Sequence, residues 1–449
     1  MTPSKGSYLT ASSAIHAMKR DVILDGHFEH GEPDQMVFLI LSWSMYRLEA
    51  SMRMDTNRKR STARYICAIL DPSYEGTTVE AQASTHGDGL SIAFNDVRYP
   101  YLALGSRNID TGNLDFNMIR TWLSRCDSNH KLPCARITSD ELKAICLIDV
   151  HQRKIVGYSN KSKEYLALSY VWGNVEQYVP GAGKADSDTI LGNLPQIVED
   201  ALLVTNQLGK KYLWVDSICI DQTDKVQKAH QIAIMSQIYQ GAYATIIAFS
   251  TTSANDRLPR VSSANTSWRQ MSCTIDGIKI LGFGPTLSHL VWHMRWGRRA
   301  WTYQEALLSP RCIYISKFQV YFECNAVTCC ESVNESYSHI HQESSDGNYL
   351  PLTNTGVLRN PFTNVITEPG TALSLYSISA TLFSRRTLTK QSDALNAFDG
   401  ILQILQRKAY GGGFYWALPC AHLNWALTWR AHDARDQEIG LRSEFPTWS

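Results

Sequence analysis

The sequence predicts an α/β protein with a parallel-sheet core, a mixed N-terminal region and a mainly helical C-terminal segment. Between Tyr165 and Phe322, short apolar runs rich in β-branched and aromatic residues alternate with stripes of helical period. The 449 residues are enough to bury a large core. Hydrophobic residues make up 44% and charged residues 19%, which excludes a disordered or fibrous chain.

Residues 1–110 show no sustained period and carry no functional assignment; Arg58, Lys59 and Arg60 there read as a solvated turn, with part of a nuclear signal as the alternative. Ile119, Trp122, Leu123 and Cys126 are spaced for a short amphipathic helix, and Leu166 to Val171 reads as a buried strand. Pro195 suits a first helical turn, after which Ile197, Ala201, Val204 and Leu208 form one stripe ended by Gly209. Tyr212 to Val215 is the next strand. Ala229, Ile232, Met235 and Tyr239 mark a second helix, Ala244 to Phe249 a third strand, and Gly297 to Leu307 a third helix that stops before Pro310. Cys312 to Ile315 and Gln319 to Phe322 complete the run. The polar stretches Ser250 to Ser272 and Glu331 to Thr367 read as surface segments. From Leu375 onward apolar periodicity returns, and Trp416, Trp425, Trp429 and Trp448 are expected to pack helices onto the core. The division that follows is 1–110, a helix and Cys/His segment at 111–164, the core at 165–330 and a helical extension at 331–449.

Lys plus Arg number 43 and Asp plus Glu 42, so bulk charge disfavours nucleic acid as a partner. Near the N-terminus the longest apolar run, Met36 to Leu41, falls far short of the ~20 residues of a spanning helix. No secretory h-region is present there, so no membrane span and a cytoplasmic location are expected. In that reducing compartment the eleven cysteines are thiols or metal ligands.

Ligands of doubly wound sheets bind beyond the carboxyl ends of the strands. The candidates there are Ser169, Tyr170 and Trp172 after the first strand and Asp216 and Ser217 after the second, together with Arg298, Arg299, Trp301 and Glu305 of the third helix. Trp301 and Glu305, four apart, share a helical face with Arg298 one turn back. A carboxylate beside an aromatic plane and a basic group suits a sugar or nucleotide; the structural alternative pairs Glu305 with Arg298 or Arg299 and makes Asp216 a cap. Cys219, between Ile218 and Ile220, reads as buried and inert. Cys126, His130 and Cys134 have ligand types suited to a structural zinc, with Cys324, Cys329 and Cys330 as candidates for a fourth ligand. Gly181 to Lys184 lacks the first glycine and the hydroxyl of a phosphate loop.

Four ordered blocks carry a family resemblance: Tyr165 to Gly173 (YLALSYVWG), Leu194-Pro195 with its helix, Tyr212 to Gln222 (YLWVDSICIDQ) and Arg299 to Glu305 (RAWTYQE). They resemble the fungal heterokaryon incompatibility (HET) domain. Outlying features agree: Trp122, Cys126, His130 and Cys134 before the core, and Arg386 to Thr389, Asp393 to Gly400 and Phe445 to Ser449 after it. The last of these motifs normally continues, so the C-terminus reads as truncated. The resemblance implies self/nonself recognition, regulated cell death of an innate-immunity kind, and homotypic or allelic protein partners. It also implies a flavodoxin/TIR-like fold, because HET domains are regarded as distant relatives of TIR domains. Some TIR domains cleave NAD with a glutamate four residues after a tryptophan, the spacing of Trp301 and Glu305. On that analogy Glu305 is catalytic, Ser169, Trp172, Asp216, Arg299 and Trp301 bind the nucleotide, and NAD is a substrate; the alternative is a non-catalytic signalling module acting through homotypic assembly.

Overall fold

The computed structural model describes residues 105–158, 164–175, 191–262, 268–270, 272–275, 278–282, 285, 287–334, 369–408 and 413–428, with four earlier strand segments. The core is one eight-stranded sheet: β1 (Cys146–Asp149), β2 (Lys154–Gly157), β3 (Tyr165–Ser169), β4 (Tyr212–Trp214), β5 (Ala244–Ala248), β6 (Arg311–Ile315), β7 (Val320–Cys324) and β8 (Thr328–Cys330). Their spatial order is β8-β7-β6-β5-β3-β4-β1-β2. The middle four are parallel, whereas β7 and β8 on one side and β1 and β2 on the other add antiparallel edges. The sheet is therefore mixed rather than purely parallel. Hairpin edges of this kind need only short connections, while each parallel step needs a crossover. Across the sheet the parallel strands, counted in chain order, lie second, first, third, fourth, so the winding reverses between β3 and β5.

Both faces of this sheet are covered. On β5 and β6, Ile246, Ala248, Ile313 and Ile315 enter one apolar cluster and Ile247, Phe249, Cys312 and Tyr314 the other, as a period of two requires. The first cluster is closed by α1 (Phe116–Asn129), α2 (Gln196–Gln207) and, after the four-residue α3 (Asp216–Cys219) and α4 (Lys225–Ala233), by α5 (Met235–Gly241). The second lies under α6 (Leu287–His293), α7 (Trp301–Leu308), α8 (Pro369–Ser384) and α9 (Ala394–Lys408). Asp115 caps α1 by accepting the Met118 N–H at 3.0 Å.

Several expectations need correction. The stripe Ala229 to Tyr239 is two helices, broken at Ile234. Gly297 to Leu307 is not one helix: Trp296–Arg298 is a 3₁₀ turn, and α7 begins at Trp301. Gly297 sits against the Val291 carbonyl so closely that a Cβ would lie 1.8 Å from its oxygen, which fixes the tight turn there. The described part of Ser250 to Ser272 is only in part a surface segment. Ala254 and Leu258 are fully buried, and their backbones bond to α2: Ala254 accepts from the Ile197 N–H, and Leu258 donates to Asp200 Oδ2 at 2.8 Å. Its polar residues serve the loop itself, Asp256 accepting from the Thr252 and Ser253 amides. The segment ends in Arg260, buried and paired through both Nη atoms with Glu331 at 2.7 and 2.6 Å. Trp425 is 45% exposed rather than core, whereas Trp429 and Trp448 fall outside the described residues. So do Arg58 to Arg60 and Gly181 to Lys184. Four N-terminal segments, Ile23–Gly26, Val37–Ile40, Ile66–Leu70 and Gly89–Ile92, join Ser272–Ile275 and Ile278–Gly282 in an antiparallel six-stranded sheet that the sequence did not suggest.

Candidate functional site

The parallel strand β3 ends at the point where the winding reverses, between β3 and β5 and with β4 on its other side, the position at which doubly wound sheets place ligands. Every residue of β3 is buried, because helices cover both faces, and its last side chain is Ser169. The Ser169 hydroxyl donates to Glu305 Oε2 and accepts from Trp296 Nε1 at 2.8 Å. Trp296 is held edge-on by Phe249 and Tyr314, with ring centroids at 5.5 and 5.9 Å, so its N–H has a fixed aim. Glu305, on the second turn of α7, is buried, and burial pushes its carboxyl up to about 7. Asp216 adds to that rise, while Ser169, Arg299 and the Tyr239 hydroxyl oppose it.

Around this buried carboxyl lies a half-buried rim of Trp172, Asp216 and Arg299, and Trp301, also half-buried, opens the helix that carries it. Trp172 Nε1 donates to Asp216 Oδ2 at 2.9 Å, and Asp216 Oδ1 accepts the Ser217 amide at 2.7 Å at the start of α3. Burial pushes Asp216 up to about 6, against the pull of the Ser217 amide, Arg299 and Trp172. Arg299 Nη1 donates to the Tyr170 carbonyl at 2.7 Å, bridging the segment before α7 to the residue after β3. Gly173 ends the first motif at φ +75°, and a Cβ there would meet the Ser253 Cα at 2.9 Å. The rim is thus closed from below by the packed 250–262 segment.

The structure links Ser169, Trp172, Asp216, Arg299 and Glu305 in one place and sets Trp301 one turn ahead of Glu305 on α7. It does not bring Arg298 there. Arg298 precedes α7, is exposed, and donates to the Trp292 carbonyl at 3.3 Å, so the helical spacing that placed it beside Glu305 does not apply. Asp216 does accept an amide at a helix start, and it meets Trp172 at the same time. Sequence reasoning missed Trp296, Tyr170 as acceptor and Tyr239 as a neighbour of Glu305; the one signal was a tryptophan just ahead of the Arg299 to Glu305 block. It missed, too, that Arg386 holds this block from outside it. Arg386 is buried, lies over the Tyr303 ring at 4.7 Å, and donates to the Arg299 carbonyl at 3.2 Å and Thr302 Oγ1 at 3.3 Å. Cys219 is buried and its thiol is raised by burial, as an inert cysteine would be.

At the other end of the sheet, Cys126, His130, Cys134 and Cys324 converge, all buried, with their ligand atoms within 4.8 Å of one another. Cys329 and Cys330, on β8, are not in this group.

The heterokaryon incompatibility protein (HET) family matches residues 165–305, from the first residue of β3 to the buried glutamate of α7. Residues 165–305 therefore match the HET domain, and the candidate site lies within them. A relative in Neurospora crassa, heterokaryon incompatibility protein 6, OR allele, is 31% identical over 98 residues; the match covers 18% of this chain and 14% of that protein. No solved structure matches the chain. Among the described residues no helix is long and apolar enough to cross a membrane.

Proposed function

We propose that this protein acts in fungal heterokaryon incompatibility, promoting regulated cell death, and that its HET domain cleaves NAD at the Glu305 site. The incompatibility role is supported by the family match and by the name of the Neurospora relative. The chemical part rests on one observation: a buried carboxyl near neutrality, gripped by Ser169, at the reversal point of a parallel sheet and rimmed by Trp172, Asp216 and Arg299, with Trp301 one turn ahead on the same helix. The second-first-third-fourth order of the parallel strands is the flavodoxin-like order, which supports a TIR-like ancestry.

In this reading the bond between the nicotinamide nitrogen and ribose C1′ breaks, and its electron pair neutralises the pyridinium as nicotinamide leaves. The ionised Glu305 stabilises the oxocarbenium character that develops on the ribose. Water then bonds to C1′ and gives up a proton, yielding ADP-ribose. Arg299 suits the phosphates, and the indoles of Trp172 and Trp301 suit ring stacking. Partners are homotypic or allelic proteins, and the site of action is cytoplasmic.

A second reading, a module that signals by assembly without catalysis, is favoured by the depth of Glu305 and by its existing bonds to Ser169 and Tyr239, which satisfy it as a core group. The deciding experiment measures NAD loss by purified full-length protein, free and forcibly oligomerised, beside Glu305→Gln. Loss that depends on Glu305 supports the enzyme. No loss by the wild type in either state, or an equal rate in the variant, rejects it.

A further inference from the structure

We infer that Cys126, His130, Cys134 and Cys324 bind one structural zinc ion, which clamps the segment ahead of the HET domain to the strand pair that follows it. Three thiols and an imidazole are the ligand types and number of a closed zinc site. Their ligand atoms all lie within 4.8 Å of one another, and about 3.8 Å separates neighbouring ligands on a tetrahedral zinc, so inward shifts of roughly 1 Å complete the cage. All four are buried, which leaves no open position for a substrate water and marks the site as structural.

The backbone presents these side chains for the purpose. Cys126 lies in the last turn of α1 and its carbonyl accepts the His130 amide at 2.9 Å; the His130 carbonyl accepts the Cys134 amide at 3.0 Å. Two successive turns thereby stack the three residues on one side, and Pro133 falls between them. Cys324, 194 positions from His130, ends β7 with its Sγ 3.5 Å from His130 Nδ1.

Local donors face the sulfurs. The Ala326 and Val327 amides both point at Cys324 Sγ at 3.4 Å, an arrangement that stabilises a metal-bound sulfur. Zinc with three thiolates and a neutral imidazole keeps one net negative charge. Buried Arg311 answers it, donating through Nε to Cys126 Sγ at 3.2 Å while Nη2 holds Asp127 at 2.7 Å. A disulfide between two of these thiols would leave the third thiol and the histidine without a role, whereas one metal ion takes all four.

None of the four ligands lies in residues 165–305. The inference is thus independent of the NAD reading, and it defines a folded unit wider than the family match.

The test is metal analysis of full-length protein purified without chelators. About one zinc per chain is expected in the wild type, and less than about one tenth of that in Cys324→Ser. Exchange of the wild-type metal for cobalt should give visible ligand-field bands with thiolate charge transfer, and His130→Cys should retain the metal with altered bands, so the ligand set is read even if Cys324→Ser does not fold. A folded wild type that holds no zinc and gives no such cobalt spectrum overturns the inference. Full zinc content in a folded Cys324→Ser does so as well.

Discussion

The two ends of the sheet hold two polar clusters of opposite character. At the carboxyl ends of the parallel strands, burial opposes ionisation of the Asp216 and Glu305 carboxyls, beside the Ser169 hydroxyl and under a half-buried rim. Cys324 pairs in register with Arg311, the first residue of β6, so the thiol cluster lies at the amino ends. There Arg311 reaches Cys126 Sγ, the Tyr243 carbonyl and Asp127, and lies over the Tyr243 ring at 4.9 Å. The difference teaches how to sort buried polar groups. A charge that is fully answered holds a fold together, whereas a carboxyl held away from its preferred ionisation is available to do chemistry.

That contrast breaks most visibly at Glu305. Replacing it with Gln keeps the shape and a partner for Ser169 while removing the negative charge, so NAD cleavage should fall by about 10³-fold, the loss typical of a removed transition-state electrostatic partner. Melting should barely change, because the neutral amide suits a site that disfavours ionisation. Single-turnover NAD assays and calorimetry on the same preparations measure both. Arg311→Met should do the reverse: it strips the thiol cluster of its cation and Asp127 of its partner, costing about 2 kcal/mol by denaturant titration, since Asp127 is only half-buried. Turnover per folded molecule should stay within about twofold, because the site lies at the far end of β6. Gly173→Ala sits between these cases. Its left-handed φ and the 2.9 Å approach to Ser253 should cost about 1–3 kcal/mol, and shifting the 250–262 segment should disturb the neighbouring Trp172 as well.

The same contrast explains what was legible in the sequence. Residues following strands were readable, because a strand's end is marked by its apolar run and doubly wound sheets put ligands there; hence Ser169, Trp172 and Asp216. Trp301 and Glu305 were readable as an i, i+4 pair within one helix. Arg298 was misplaced because the 3₁₀ turn forced by Gly297 against Val291 leaves no periodic trace. The three local thiol and imidazole ligands showed in their spacing, but choosing Cys324 over Cys329 and Cys330 needed the β6-β7 register. Least legible was the 250–262 segment. Its Ser, Thr and Asp side chains bond to their own backbone, so polar composition disguised the buried anchors Ala254 and Leu258.

The smallest effect is the most discriminating, because it asks whether Asp216 and Glu305 act on one another. Glu305 is raised to about 7 and Asp216 to about 6, each chiefly by burial, and Asp216 contributes to the rise of Glu305. A carboxyl raised on folding binds protons more tightly in the folded state, so its stabilising contribution is complete below the unfolded value near 4.5 and is lost as pH rises through about 7. Stability should therefore decline from about pH 4.5 to 7, and this slope should flatten in Glu305→Gln. Catalysis should run the other way, since the ionised form is the one that stabilises a developing cation: NAD cleavage should rise with pH to a plateau, with a midpoint near 7. Asp216→Asn removes a nearby negative charge while its side-chain oxygen can still accept from Trp172, so the midpoint should drop by up to about one pH unit. An unmoved midpoint would separate the two carboxyls electrostatically and reduce Asp216 to a cap on its short helix. A lowered midpoint with the plateau rate retained would make it the group that tunes Glu305 toward neutrality.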